Sequence, residues 1–394
     1  MMRVLSVVGA RPNFMKLAPV DRALVKRGVE HVIIHTGQHY DQGMSAAFFE
    51  ELWIPAPDHH LGVGSASHAQ QTAAVMQRLE PLLLDLRPDL LLVYGDVNST
   101  LAAALVAAKL QLRVGHVEAG LRSGDWTMPE EINRVVTDRL SEMLFLPSRD
   151  AAENLSAEGI ASDRMHFVGN VMIDTVAWAL PQALKLNAAA RYGVAGHPYA
   201  VVTLHRPSNV DDAGVLRELL DALGRLAAKV PVLFPVHPRT RTRITELGGR
   251  GRHPRGSKEH SLELLEPLGY LEMLSLVTGA ALVVTDSGGL QEETSFLGVP
   301  CITVRPNTER PITCTHGTNR LVLPRRDALL AAAERALGRR SPARPVIERW
   351  DGRAAERIVA AVCDEERFEV DAAAASPPQM ARRGVAIPVP LGAS

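Results

Sequence analysis

The chain has 394 residues, 46% of them hydrophobic, and a net charge of −1. That length allows two α/β domains with sizeable cores, and the near-zero charge gives no reason to expect nucleic acid or an acidic membrane as partner. Its three cysteines, Cys301, Cys314 and Cys363, are odd in number and widely spaced, which fits a reducing cytoplasm and neither a disulfide framework nor a zinc pattern. The apolar run 4–10 is too short for a signal or a membrane span and reads as a first strand.

From that strand the turn Ala10-Arg11-Pro12-Asn13 leads into a helix through Lys16 to residue 25. A second strand, 31–35, ends in Thr36-Gly37-Gln38-His39. Helical spacing returns at 44–52, a polar loop covers 55–68, and a long helix runs to 86. Strand 89–93 ends in Tyr94-Gly95-Asp96 and passes into an Ala-rich helix. Strand 113–117 ends at Glu118. After a loop, Pro129-Glu130-Glu131 opens a helix whose apolar positions, 132, 135, 136, 140, 143 and 144, keep helical spacing. A short strand at 166–168 closes this half, with a domain boundary expected at Gly169-Asn170. Residues 171–198 read as a helix and linker. Strands at 199–204, 232–235, 281–284 and 301–304 then build a second half to residue 351. The segment 248–260 reads as a surface loop, 352–363 as a helix and 366–394 as a disordered tail. Buried strands alternating with helices predict an α/β, doubly wound architecture.

The stretch 280–293 carries the clearest chemical signal. An apolar strand ends in Asp286-Ser287-Gly288-Gly289 and a helix follows. Ser287 suits an N-cap, the glycines allow close backbone approach, and the unpaired N–H groups of a helix start bind phosphate. An ordinary tight βα turn has the same sequence. In the first half, Asp96, Glu118 and Glu130 all fall at strand carboxyl ends or helix starts, where open α/β sheets place ligands, with Arg11 and Lys16 at the neighbouring turn. Each carboxylate also has a structural reading. Thr127-x-x-Glu130, with Pro129 inside the helix, matches a capping box. In the second half, His205-Arg206 and His237 follow strands, and Arg305 and Arg310 flank Thr308-Glu309, a basic grouping that suits a diphosphate. There is no G-x-G-x-x-G after a strand, no P-loop and no metal-ligand spacing, so neither a bound dinucleotide cofactor nor a metal is expected.

Taken in order, these motifs resemble the non-hydrolysing UDP-N-acetylglucosamine 2-epimerases of bacteria. The carriers are Gly9-Ala10-Arg11-Pro12 with Lys16, Thr36-Gly37-Gln38-His39, Gly95-Asp96, and His116-Val117-Glu118-Ala119-Gly120-Leu121-Arg122. Further on come Pro129-Glu130-Glu131-x-Asn133-Arg134, His205-Arg206, Thr285-Asp286-Ser287-Gly288-Gly289-x-Gln291-Glu292-Glu293, and Thr308-Glu309-Arg310-Pro311. The resemblance covers residues 3–363. It implies two Rossmann-like domains of the GT-B type with a UDP-sugar in the cleft, a terminal helix (352–363) crossing back to the first domain, no cofactor and a homodimer. By matching position it makes Asp96, Glu118, Glu130 and His205 reaction-centre residues. Arg11, Lys16, His237, Ser287, Gly288, Gly289, Glu293 and Arg310 become substrate-binding residues. The chain departs from the family pattern at Asn13, at Ser208 and at Met273, where Glu, Glu and Phe are common. The first two bear on the choice of sugar, and relatives acting on UDP-2,3-diacetamido-uronic acids are the alternative. Met273 is expected to cover the base. Rival classes are a GT-B glycosyltransferase, which needs an acceptor, and an idle UDP-sugar sensor, which does not need the carboxylates.

Overall fold

The computed structural model describes residues 2–38, 50–248, 262–338 and 344–363. His39, positions 44–49 of the expected helix, the loop at 249–260 and the tail at 366–394 lie outside these described residues, as does the side chain of Arg11.

Seven strands form the first sheet: β1 (Arg3–Val8), β2 (Glu30–His35), β3 (His59–His60), β4 (Leu90–Tyr94), β5 (Val114–Val117), β6 (Met143–Leu146) and β7 (Met165–Phe167). Their spatial order is β3-β2-β1-β4-β5-β6-β7, and every pairing is parallel. The central strand sets the register, with Val4 opposite His31 on one side and Leu90 on the other. Helices cover both faces, so Val4, Leu5, Val7 and Val8 are all buried and the strand reads as one apolar run.

The second sheet repeats the plan. β8 (Ala200–Thr203), β9 (Val232–Pro235), β10 (Leu262–Leu265), β11 (Leu282–Thr285), β12 (Cys301–Val304) and β13 (Asn319–Val322) lie in the order β10-β9-β8-β11-β12-β13, again all parallel. Each sheet has one place where the strand order reverses, between β1 and β4 and between β8 and β11. Chains leaving such a pair diverge to opposite faces and open a crevice at the strand carboxyl ends.

Helix Val171–Leu186 carries the chain from the first sheet to the second. Asn170 caps it, its side-chain oxygen accepting from Met172 N at 2.9 Å. The last helix, Ala354–Val362, packs Ile358 and Val359 into the first core beside Leu17 and Val20. Asp174 of the linker helix accepts the opening N–H groups of Ala354 and Ala355 at 3.1 and 2.7 Å. Burial pushes that carboxyl up to about 6, against the pull of those two N–H groups.

Three expectations about elements need correction. The helix starting at Pro129 ends at Leu140, and residues 143–146 are strand β6, because a short apolar run fits either period. Its inward face is polar: Glu131, Asn133, Arg134, Thr137 and Asp138 are buried, whereas Ile132 is 45% exposed. Strands β3, β10 and β13 are three of the four sheet edges, and their half-exposed residues blur the apolar signal.

Candidate active site

The first-domain wall starts at the β1–β4 reversal. Asn13 ties the two strand ends together: its side-chain oxygen accepts from Gly9 N and Ala10 N at 3.1 Å, and its amide donates to Tyr94 O at 2.8 Å. A Glu cannot donate to a carbonyl, so Asn at this position has its own structural logic. Lys16, 4% exposed, reaches over this junction and forms an ion pair with Glu118 Oε2. Gly95 lies beneath them at φ +62°, and a Cβ there would come within 2.7 Å of the Lys16 ammonium.

Glu118 follows β5 directly with φ +74°, a left-handed conformation that costs a non-glycine residue of order 1–3 kcal/mol. The surroundings hold it there. His116 donates from Nε2 to Gly95 O at 2.8 Å, and its Nδ1 meets Asp138 at 2.6 Å. Asp138 also takes Gly120 N and Arg122 Nη1.

Asp96 lies in the turn after β4 and accepts from Arg134 Nε and Nη2 at 3.0 and 2.6 Å. Desolvation alone would raise its pKa, but Arg134, Lys16 and Arg310 hold it below the usual aspartate value. Arg134 also donates to Glu131 at 2.5 Å, and Glu131 accepts the N–H groups of Ser123 and Gly124. Glu130 is half-buried, and its charge acts across the cleft on Arg206. The expected capping box is not made. Met128 occupies the N-cap position, and the Thr127 hydroxyl donates to Asp125 at 2.6 Å.

The second-domain wall lies at the β8–β11 reversal. Asp286 is fully buried and accepts from the backbone N–H groups of His205 and Arg206 and from Asn209 Nδ2. Burial works against its charge, but His205 and these donors keep it ionised below the usual range. His205 faces it through Nδ1 at 2.9 Å, with 48% of the side chain exposed. Ser287 precedes helix Gly288–Leu297. Its N–H donates to Thr285 Oγ1 at 3.0 Å, and its own hydroxyl makes no cap bond, contrary to the sequence expectation. At Gly288 a Cβ would lie 2.6 Å from Arg310 Nη1, so the glycine lets that guanidinium lie against the helix start. Gly289 faces Met172.

Arg310 is the point where the walls meet. It donates to Glu118 of the first domain at 2.8 Å, pairs with Glu292 at 2.8 Å and donates to Glu309 at 2.7 Å. Burial alone would lower its pKa, and these carboxylates raise it instead. Glu309 is also bound by Arg305 at 2.8 Å, with Arg206 and Arg134 at 3.7 and 4.0 Å. These cations outweigh its burial and hold it well below the usual glutamate range. Glu293 is the opposite case. Burial and the neighbouring Glu292 push it up to about 8 despite a hydrogen bond with Tyr270, so at pH 7 it is a neutral acid.

His237 caps helix Pro238–Glu246, its Nδ1 accepting from Arg239 N at 3.3 Å. Met273 packs on the second-domain apolar cluster with Leu268 and Tyr192. Glu51 of the first domain accepts from Tyr270 N at 2.7 Å. Arg134, Glu131, Glu292, Asp286 and Glu309 were not singled out in the sequence as site residues. For Arg134 and Glu131 a signal existed: opposite charges three apart, at helical spacing, face one another. Among the described residues no group of His, Cys, Asp and Glu is arranged to hold a metal ion, and no helix is long and apolar enough to cross a membrane.

A paired set of parallel sheets with buried charges at both reversals puts those charges where open α/β sheets bind ligands, and comparison with known proteins says more. The profile of the UDP-N-acetylglucosamine 2-epimerase family matches residues 22–363. The chain belongs to that family. A UDP-N-acetylglucosamine 2-epimerase of Methanococcus maripaludis is 41% identical over 336 residues, 84% of this chain and 90% of the relative. A UDP-2,3-diacetamido-2,3-dideoxy-D-glucuronate 2-epimerase of Pseudomonas aeruginosa is 40% identical over 343 residues, 86% of this chain and 93% of the relative. The crystal structure of the Methanocaldococcus jannaschii UDP-GlcNAc 2-epimerase, in complex with UDP-GlcNAc and UDP, superimposes with a TM-score of 0.84. It is 41% identical, and the match covers 92% of this chain and all of that one. The family's GT-B-type fold is the fold of this chain.

Proposed function

We propose that this chain interconverts UDP-N-acetylglucosamine and UDP-N-acetylmannosamine by inverting C2. One observation carries the reading: Glu118 is held both by Lys16 of its own domain and by Arg310 of the other. A proton-transfer group and a diphosphate-class cation therefore share one point of the cleft. The C2 proton has no neighbouring carbonyl to acidify it. Expelling UDP from C1 solves this. The C1–oxygen pair leaves with UDP, a base takes the C2 proton, and a C1=C2 bond forms, giving a 2-acetamidoglucal. UDP adds back as a proton arrives on the other face.

Lys16, Arg310 and the N–H groups opening helix Gly288–Leu297 would take up the charge that develops on the diphosphate. Asp96, Glu118 and Glu130 supply the proton-transfer groups. His205, oriented by Asp286, assists at the sugar or its leaving oxygen. Arg11, Ser287, Gly288 and Gly289 complete the diphosphate site, with Glu293 and His237 toward the rest of the substrate. We place the domain division at residue 170 and infer a cytoplasmic homodimer, a location that the three unpaired cysteines support.

The diacetamido-uronate is the second reading. The P. aeruginosa relative and one feature of the site favour it: Arg305 Nη1 is buried with no hydrogen-bond partner among the described residues, and a sugar carboxylate would satisfy it. The test is incubation with UDP-GlcNAc alone in deuterium oxide, followed by NMR. Expected are the N-acetylmannosamine product with deuterium at C2, C2 deuterium in the substrate pool, and scrambling of a bridging oxygen-18 label into the β-phosphate. Turnover without an acceptor excludes a glycosyltransferase. Turnover of the uronate alone would replace the first substrate, and a fixed bridge label with no glucal would overturn the elimination.

A further inference from the structure

Arg310 is anchored from a side that the proposed chemistry does not use. Its Nε lies 2.8 Å from Glu292 Oε1, an ion pair outside hydrogen-bond geometry, while Nη1 and Nη2 donate to Glu309 and Glu118. Glu292 is 1% exposed, and burial raises its pKa against the pull of Arg310. Placing a carboxylate in such surroundings is costly unless its partners are fixed. One partner is Arg310. The other is Asn170, whose Nδ2 donates to the same Oε1 at 2.9 Å. Asn170 is itself 1% exposed and caps the helix that leads from the first sheet to the second. Its two side-chain atoms are thus divided: Oδ1 fixes the start of the linker helix, and Nδ2 reaches Glu292. The side chains Asn170, Glu292, Arg310, Glu118 and Lys16 form one unbroken chain of polar contacts from the linker to the first-domain wall.

We propose that Glu292 is a positioning residue. It clamps the inner edge of Arg310 and passes the position of the linker at Asn170 to that guanidinium, so that a diphosphate held by Arg310 and the relative setting of the two domains are coupled. The fork of Arg310 then stays aimed at the cleft when a diphosphate takes the place of Glu118 on Nη2. The inference rests on the diphosphate reading of Arg310, and its test separates the two.

UDP binding is measured by calorimetry, and turnover of UDP-GlcNAc by NMR, for the full chain and three variants. Glu292→Gln keeps an oxygen for Arg310 Nε and Asn170, so UDP affinity should stay within about threefold of the parent. Glu292→Leu fills the space without an acceptor, and UDP affinity should fall by roughly tenfold or more. Asn170→Ser keeps a capping oxygen but loses the donor to Glu292. It should bind UDP within about threefold of the parent and show an unchanged KM, with kcat lowered about tenfold. A folded Glu292→Leu protein that binds UDP like the parent overturns the clamp. Asn170→Ser with parental kcat overturns the coupling, as does a kcat loss fully matched by loss of folded protein. If the Leu variant fails to fold, the Asn170→Ser kcat and KM decide. A parent that binds UDP but leaves UDP-GlcNAc unchanged refutes the substrate reading alone, and the UDP arms still judge the clamp.

Discussion

The two strand reversals face the same cleft with the same topology and use charge in different ways. At the first, the carboxylates are side chains of the turns just past the strands, and each is met by a cation: Asp96 by Arg134, Glu118 by Lys16. At the second, the strand-end carboxylate is spent on structure. Asp286 accepts two backbone N–H groups and an asparagine amide, and orients His205. Its neighbourhood offers cations and helix N–H groups instead. On the proposed chemistry, one edge would move protons and the other would hold an anion. The same fold element thus presents its acid to side-chain cations at one reversal and to backbone N–H groups at the other.

The largest expected effect breaks this division at Glu118. Glu118→Gln should lower kcat by roughly 10²- to 10⁴-fold, the range for loss of a general acid or base. Binding of UDP should not weaken, because Arg310 is released from a competing carboxylate. Calorimetry and steady-state rates on the same preparation check both halves, and parallel losses in binding and turnover would blur the distinction between the walls.

A smaller effect sharpens the description of the second wall. Glu293, raised to about 8, keeps its proton in the folded state over a window in which the unfolded chain, with the ordinary value of 4.5, has lost it. Its contribution to stability is therefore fully present below pH 4.5 and is lost as pH rises through about 8. Glu293→Gln mimics the neutral acid at every pH. Urea midpoints at pH 5 and pH 8 should show the variant gaining on the parent as pH rises. A constant difference would mean that Glu293 is ionised in the fold.

The smallest effect concerns the loop of the first wall. Because Thr127 pairs with Asp125 and caps no helix, Thr127→Ala should change stability by only about 0.5 kcal/mol, the usual scale for an exposed site. A loss near 1 kcal/mol, typical of a removed cap, would restore the capping-box reading of Glu130.

The fold was legible where burial is complete. Strands β1, β4, β11 and β12 are apolar runs followed at once by glycine or charge, and β8 by Leu204 and then His205. Strands β3, β6, β10 and β13 escaped because short or half-exposed segments carry little period. The helix Pro129–Leu140 misled for the opposite reason: it turns polar groups inward, toward Asp96 and Ser123, and Ile132 outward. At the site, Glu118 and Arg310 were visible one at a time. Their contact spans 192 positions of sequence, and no local pattern encodes which carboxylate will meet which guanidinium. Glu292 and Glu309 were overlooked because each stands beside a residue already chosen, and only the packing shows which of two adjacent acids turns toward Arg310.

The left-handed backbone at Glu118 has a use beyond this chain. Glycine or asparagine would hold that conformation at little cost, and glutamate holds it under strain. A descendant released from the chemistry would be expected to drift to one of the comfortable residues, along with whatever relaxes Lys16 and Arg310. Among relatives of unknown competence, the residue at this one strained position becomes an inexpensive marker for sorting working enzymes from retired copies, to be checked by assaying a few of each kind.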